Sequence, residues 1–299
     1  MSQINLVSEF LSYLENKRKT SQNTLSAYTR DLNCFSEYIS LKKLNIDEVS
    51  YNDIASFKKM LVNNGKSVAT VSRYMSSVRS FYKYLSVTGV VEANPALEVK
   101  NDKNEKKFFE ILTEEEIDKL LSQPDTSDFK GKRDKAMLEI LYATGMKVSE
   151  LISLDLSDVN IKMNYIRCHT DKNDKKSRVV LLYQTAVNEL SDYINNARNY
   201  FVQSPDEAAL FVNVNGERLT RQGFWKLLKN YVSIAKIDKT ITPHTLRHSF
   251  ATHLLENGAD INDIKDILGH QDISSTLVYS DFIKSKLDKS YLKFNHRSK

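Results

Sequence analysis

The stretch Thr242-Pro-His-Thr-Leu-Arg-His-Ser-Phe-Ala-Thr-His-Leu-Leu-Glu-Asn-Gly258 decides how the rest of the chain is read. Pro243 suits the first turn of a helix, where a missing N–H removes no hydrogen bond. Leu246, Phe250 and Leu254 fall four apart and form one buried stripe, so His244 and Arg247, three apart, flank it together. An imidazole and a guanidinium then meet near a helix N-terminus, whose partial positive charge and free N–H groups suit an anion. Taken alone, the two residues also serve as a cap and a solvated surface charge.

Downstream lies Ile267-Leu-Gly-His-Gln-Asp-Ile-Ser-Ser-Thr-Leu-Val-Tyr-Ser280. Gly269 can end a helix in the left-handed conformation, leaving His270 on the next turn and Tyr279 on a short helix beyond it. A capping histidine and a ring packed in the core are the simpler uses of these two residues when either stands alone.

Upstream, the pattern changes between residues 160 and 182 to Tyr165-Ile-Arg-Cys and Arg178-Val-Val-Leu-Leu, separated by the polar stretch 170–177, which predicts a hairpin with a charged turn. Leu210-Phe-Val-Asn predicts a further short strand. Everything from Phe224 onward reads as mainly helical. Thr113 and Glu116 stand at capping-box spacing, opening a helix through Ile117, Leu120 and Leu121.

The first hundred residues predict four helices. Val7, Phe10, Leu11 and Leu14 share one face of the first. Ser21 or Asn23 caps the second, which buries Leu25, Tyr28, Leu32, Phe35 and Ile39. Ile54, Phe57 and Leu61 mark a third, and a fourth runs from about Ser67 to Leu85. Asn94-Pro95 and the polar run 100–107 interrupt this periodicity, placing a linker at 100–108 between domains at 1–99 and 109–299.

Composition agrees with a mainly α protein carrying a small β-sheet in its C-terminal domain. The chain has 299 residues, enough for two domains, with only 8 Gly and 4 Pro. Hydrophobic residues at 41% beside 27% charged ones exclude a disordered chain. The formal net charge of +5 permits nucleic-acid binding without requiring it, and residues 1–100 hold 13 Lys/Arg against 9 Asp/Glu. Cys34 and Cys168 are too few for a disulfide framework and read as free structural thiols in a reducing cytoplasm. No secretory signal and no membrane-spanning run is expected.

Three motifs occur in order: Leu141-Tyr-Ala-Thr-Gly-Met-Lys-Val-Ser-Glu-Leu151, His244-Thr-Leu-Arg-His-Ser-Phe-Ala-Thr-His253, and Leu268-Gly-His270 followed by Tyr279. In this order and spacing they resemble the tyrosine site-specific recombinase (phage integrase) family, specifically its Xer-like branch. Thr24-Leu-Ser-Ala-Tyr-Thr-Arg-Asp-Leu32 is similar to the N-terminal helical domain of that branch. The resemblance implies a SAM-like, four-helix core-binding domain followed by the tyrosine-recombinase catalytic domain.

It also implies a chemistry. The Tyr279 hydroxyl attacks a scissile DNA phosphate, forming a 3'-phosphotyrosine and releasing a 5'-hydroxyl, so no ATP, cofactor or metal is expected. Arg247 suits bidentate phosphate contact, while His244 and His270 donate to non-bridging oxygens or take the phenol proton. A hairpin-turn lysine serves as general acid. Lys172 is the choice here, with Lys175 and Lys176 as competitors because this turn is one residue longer than the family's. Glu150 supports the first cationic position.

That position departs from the family: Lys147 stands where relatives carry arginine. Lysine keeps the charge and loses the planar fork. An engineered substitution, a naturally attenuated enzyme and compensation elsewhere are the three readings. An impaired DNA-binding accessory protein of the same fold is the alternative function, and a relaxing enzyme like type IB topoisomerases a third.

The implied partners are duplex DNA with specific recombination sites, gripped by the two domains, and a homo- or hetero-tetramer on two duplexes. The tail Leu287-Asp-Lys-Ser-Tyr-Leu-Lys-Phe294 resembles the terminal helix passed between subunits. A DNA translocase is a further expected partner. Chromosome-dimer resolution, serving chromosome partition at cell division, and mobile-element integration or excision are the expected roles. Arg30, Arg73 and Arg79 are the candidate DNA contacts in the first domain. All of this requires a phenolic oxygen and several cations, drawn from distant segments, to close around one phosphate, with the Tyr279 ring not entombed.

Overall fold

The computed structural model describes residues 3–100, 109–169, 177–204, 206–270, 272–281 and 283. The chain divides into two compact units, Met1–Lys107 and Phe108–Lys299. Among the described residues, no helix is long and apolar enough to cross a membrane.

The first unit consists of α1 (Gln3–Asn16), α2 (Gln22–Leu41), α3 (Tyr51–Asn63) and α4 (Val68–Val87), with a short 3-10 turn at Ile46–Glu48. Their starts follow from local chemistry: Ser21, Ser50 and Ser67 each accept a hydrogen bond from the backbone N–H three residues on. The apolar stripes close on one core in which Phe10, Leu32, Phe35, Ile54, Phe57 and Phe81 are almost wholly buried. Each such side chain contributes about 1.5–3 kcal/mol by leaving water.

A charge is buried within that core. The Asp31 carboxylate accepts from Arg73 Nη1 at 2.5 Å and from Ser77 Oγ at 2.8 Å, the pairing that a buried carboxylate requires. Arg79 donates to the carbonyls of Ala96 at 3.2 Å and Val99 at 2.8 Å, holding the segment that leaves α4.

The second unit opens with α5 (Glu114–Leu121), α6 (Phe129–Thr144) and α7 (Val148–Ser153). Thr113 and Glu116 cap α5 reciprocally, at 3.2 and 2.8 Å. A 3-10 turn at Leu156–Asp158 then leads into β1 (Val159–Asn160), β2 (Tyr165–His169) and β3 (Ser177–Leu181). These make an antiparallel sheet in the order β1-β2-β3, with Ile166 opposite Val180 and Cys168 opposite Arg178.

Beyond the sheet come α8 (Gln184–Asp192), a π-turn at Tyr193–Ala197, α9 (Arg198–Phe201), α10 (Arg221–Ile234), α11 (Pro243–Glu256), α12 (Ile261–Leu268) and a helix over 274–281. The stretch expected as a strand at Leu210 forms only isolated bridges, Asp155 with Ala209 and Val212 with Arg218. Its backbone bonds go to the chain near Leu154 and Leu219 instead of to a ladder.

Helix α6 is the axis of this unit, buried on almost every side. Two of its charges are buried with partners: Arg133 pairs with Asp134 at 2.7 Å and donates to the Val212 carbonyl at 3.0 Å, and Tyr231 completes the Asp134 shell at 2.9 Å. The helix ends at Gly145 with φ 56°. A Cβ there would stand 2.3 Å from the Phe250 ring, so only glycine allows α11 to pack this closely.

Candidate active site

Arg247 is the centre of the site because two helix ends hold it. It is 4% exposed on α11, with Nη1 donating to the Gly145 carbonyl at 2.6 Å and Nη2 to the Leu268 carbonyl at 2.8 Å. Both acceptors lie at left-handed glycine caps, Gly145 after α6 and Gly269 (φ 66°) after α12. The glycines in Thr-Gly-Met-Lys and Leu-Gly-His thus aim carbonyls at one guanidinium, locking its fork.

Helix α11 starts where the sequence expects. Thr242 and Thr245 cap each other's backbone N–H groups, both at 3.1 Å, and Pro243 opens the first turn. This sets His244 on the rim of a cleft of about 870 Å³ lined by Lys147, Ser149, Arg221, Trp225, His244 and Arg247 among others. None of the described residues lining it is acidic. Lys147 is exposed at the start of α7, facing this cleft.

Glu150 is buried and supports Lys147 through the backbone. It accepts from the Lys147 N–H at 2.7 Å and takes a two-pronged grip from Arg178, at 2.8 and 3.1 Å. Burial would raise its carboxyl, but the Arg178 hydrogen bonds and charge, the Lys147 N–H and the Arg247 charge together hold it below the usual carboxylate range. Arg178 also donates Nε to the Ile267 carbonyl at 2.6 Å, and its Nη1 would stand 2.8 Å from a Cβ at Gly269. β3 is thereby tied to the α12 end.

His270 follows that end. Its Nδ1 lies 2.9 Å from Oγ1 of the buried Thr276, and its N–H donates to the Lys265 carbonyl at 3.0 Å. Burial, reinforced by the charges of Arg247, Lys147 and Arg178, pushes the imidazole down to about 4. Burial and then Arg247, Arg221 and Lys147 lower His244 in the same way. Cations from the start of α7, from α10 and α11 and from β3 therefore act on these two rings.

The Tyr279 ring departs from the expectation of an open oxygen. It is 2% exposed, packed with Phe250, Ala251, Ile264 and Leu268, and its hydroxyl lies 3.0 Å from Nδ1 of His248. Burial raises the phenol and the Arg247 charge opposes that rise. The segment places Tyr279 beside the cationic group, with the oxygen turned toward α11 and away from bulk solvent.

Lys172, Lys175 and Lys176 lie outside the described residues, as do the linker stretch 101–108 and the tail Leu287 to Phe294. In the first unit, Arg30 is exposed and donates to the Ser26 carbonyl of its own helix at 3.2 Å. Arg73 and Arg79 are partly occupied by Asp31 and by the Ala96 and Val99 carbonyls. Cys34 and Cys168 are free thiols.

Sequence reasoning missed Arg178, His248 and Arg221 as neighbours of the site. Arg178 had one signal, a charge at the mouth of a strand opposite a buried cysteine; His248 had none beyond adjacency to Arg247.

The family described as "Phage integrase family" matches residues 110–285, and "Phage integrase, N-terminal SAM-like domain" matches residues 7–89. The chain is 45% identical to the tyrosine recombinase XerD of Oceanobacillus iheyensis, covering 98% of both chains. It is 41% identical to XerD of Listeria innocua, covering 98% of this chain and 99% of the relative. Among solved structures, that of the XerA recombinase is 27% identical with a TM-score of 0.54, covering 98% of this chain and 99% of that one. The XerH recombinase on palindromic difH substrate, a post-cleavage complex, shares the fold at TM-score 0.76 and 23% identity, covering 96% and 84%.

The chain belongs to the phage integrase family and so to the tyrosine recombinases, which cleave and rejoin DNA in site-specific recombination. Its N-terminal unit is the SAM-like domain of that family and its C-terminal unit the catalytic one.

Proposed function

We propose that this chain performs Xer-type recombination with Tyr279 as nucleophile, on duplex DNA carrying specific sites. The observation that carries this reading is Arg247, pinned by Gly145 and Leu268 among Lys147, His244 and His270, which joins three distant motifs at one cationic centre. Both relatives cited at 41% identity or more bear the XerD name.

In the proposed reaction, a DNA phosphate sits in the cleft against Arg247, with His244, His270 and Lys147 donating to its non-bridging oxygens. The Tyr279 oxygen forms a bond to phosphorus as its proton passes to the imidazole of His244 or His270. The bond to the 5'-oxygen breaks, and Lys172 supplies that oxygen with a proton. A 3'-phosphotyrosine results. Attack by another strand's 5'-hydroxyl reverses the step on a new partner, conserving the phosphodiester energy. Glu150 positions the start of α7 and does not touch the phosphate.

Because Tyr279 is buried against His248, attack requires the cleft to open onto its hydroxyl. Lys147 leaves one fork of the phosphate site unfilled. Arg178 does not take that place: all three of its nitrogens, and three of its five N–H groups, are committed to Glu150 and Ile267.

The same reading assigns residues 1–99 to core-site binding, with Arg30 as a phosphate contact, 100–108 to the connection and 109–299 to catalysis. It sets the enzyme in the cytoplasm as a tetramer on two duplexes, resolving chromosome dimers together with a DNA translocase. The test is incubation with a nicked duplex. A protease-sensitive protein–DNA adduct that disappears in Tyr279→Phe supports the enzyme; DNA binding with no adduct in either chain supports the accessory-protein alternative.

A further inference from the structure

Helix α11 has a second face, turned away from the cleft. His244 and Arg247 face the cleft, whereas His248, Ser249 and His253 face the segment that begins the second unit. The Leu112 N–H donates to Ser249 Oγ at 2.9 Å, and the Leu112 carbonyl lies 2.9 Å from His253 Nε2. That carbonyl can only accept, so His253 carries its proton on Nε2, and Nδ1 accepts from the Tyr142 hydroxyl at 2.8 Å. A backbone donor and acceptor of one residue are thus both latched to buried side chains of α11.

Three residues before Leu112, the same segment delivers Phe109 onto His248. The two rings stack at 4.4 Å between centroids and 24° between planes. Phe109 meets the Tyr279 ring edge-on at 5.6 Å, and His248 meets it at 5.5 Å. The three rings form a closed cluster whose polar contact is the Tyr279 hydroxyl on His248 Nδ1.

We infer that His248 is a positioning residue for the nucleophile: its Nδ1 accepts the Tyr279 hydroxyl hydrogen, and Phe109, latched through Leu112, fixes the imidazole that does so. This inference rests on the assignment of Tyr279 as nucleophile. A phenol has no preferred direction for its O–H bond without an acceptor, and a buried hydroxyl left unpaired is costly. The acceptor must be a neutral ring nitrogen. Burial, followed by the nearby His244, Arg247 and His270, keeps His248 neutral by pushing it down to about 4. The bond therefore orients the phenol oxygen and keeps it protonated until a phosphate is seated. Misplacement of a reacting group by about 1 Å costs about 10²-fold in rate, which sets the size of the effect.

The test is single-turnover adduct formation on a nicked duplex, with duplex binding measured in parallel. It uses the full chain and, so that a slow parent cannot mask a loss, the Lys147→Arg chain as well. His248→Phe keeps an aromatic ring against Phe109 and removes the acceptor; adduct formation is expected to fall about 10²-fold while the duplex Kd holds. His248→Asn restores an acceptor near the Nδ1 position and is expected to recover most of that loss. Phe109→Leu leaves the imidazole in place and unsupported, and is expected to fall about tenfold. Parent rates in both His248→Phe and Phe109→Leu overturn the inference, as does equal loss in His248→Phe and His248→Asn. If His248→Phe does not fold, Phe109→Leu and His248→Asn decide alone: a parent rate in the first, or no adduct in the second, overturns it. Tyr279→Phe separates the two claims, because an adduct surviving there overturns the nucleophile assignment, whatever the His248 variants do.

Discussion

Arg178 grips Glu150 through two parallel N–H···O bonds of 2.8 and 3.1 Å, joining β3 to the start of α7. Both side chains are largely buried, so removing one charge strands the other. Glu150→Gln is expected to cost about 3–5 kcal/mol of unfolding free energy, read from denaturant midpoints at constant m.

The same pair contributes to acid sensitivity. The folded carboxyl lies below its ordinary value, so its stabilisation is complete above about pH 4.3 and is lost as pH falls through the lower folded value. Glu150→Gln is expected to flatten this part of the pH–stability curve. An unchanged acid limb would contradict the pairing.

His270 acts at higher pH and with the same sign. The unfolded imidazole takes a proton near about pH 6.5, whereas the folded one resists until about 4. Stability therefore falls as pH drops through that window. In the DNA-free chain, the His270 ring signals followed by NMR are expected to titrate near 4; a midpoint near the ordinary histidine value would contradict the cationic surroundings.

Gly145 has φ 56° and no room for a Cβ, which would meet the Phe250 ring at 2.3 Å. Gly145→Ala combines left-handed strain of about 1–2 kcal/mol with overpacking of about 1–3 kcal/mol. Because the Gly145 carbonyl also holds Arg247, adduct formation is expected to fall further than the lost stability explains.

Arg30 and Arg79 separate binding from folding. Arg30→Ala is expected to leave thermal stability unchanged and to reduce the salt slope of DNA binding by about 0.9. Arg79→Ala removes bonds to the Ala96 and Val99 carbonyls, and is expected to lower stability by about 1–2 kcal/mol. Equal effects on DNA binding would show that Arg79 also touches phosphate.

Much of the fold was legible because its signals are local. The apolar spacing of Leu25, Leu32, Phe35 and Ile39, the Thr113–Glu116 capping box and the stop at Gly269 each depend on residues within a few positions of one another. β1 was missed because two residues carry no periodicity, and the Leu210 stretch looked like a strand because burial alone produces the same apolar run.

The site was legible as three motifs but not as contacts. Arg178 reaches Glu150 across 28 residues, and His248 reaches Tyr279 across 31, separations at which sequence spacing says nothing about approach. The burial of Tyr279 was equally hidden, since its neighbours Phe250, Ile264 and Leu268 belong to two other helices.

Lys147 tests the proposed phosphate site. It is exposed at the cleft, and its single ammonium cannot reproduce a guanidinium fork. Lys147→Arg is expected to raise single-turnover cleavage by about 10²- to 10³-fold, the scale of one donor to a developing oxyanion. Equal rates would show that the site has no need of the fork.

The most direct measurement is mass mapping of the covalent product. After reaction with a nicked duplex and digestion by protease and nuclease, the nucleotide mass is expected on the peptide containing Tyr279 and is expected to vanish in Tyr279→Phe and fall sharply in Arg247→Ala. Nucleotide mass on a different residue, or an adduct undiminished by losing Arg247, would contradict a Tyr279 nucleophile acting on a phosphate held by that guanidinium.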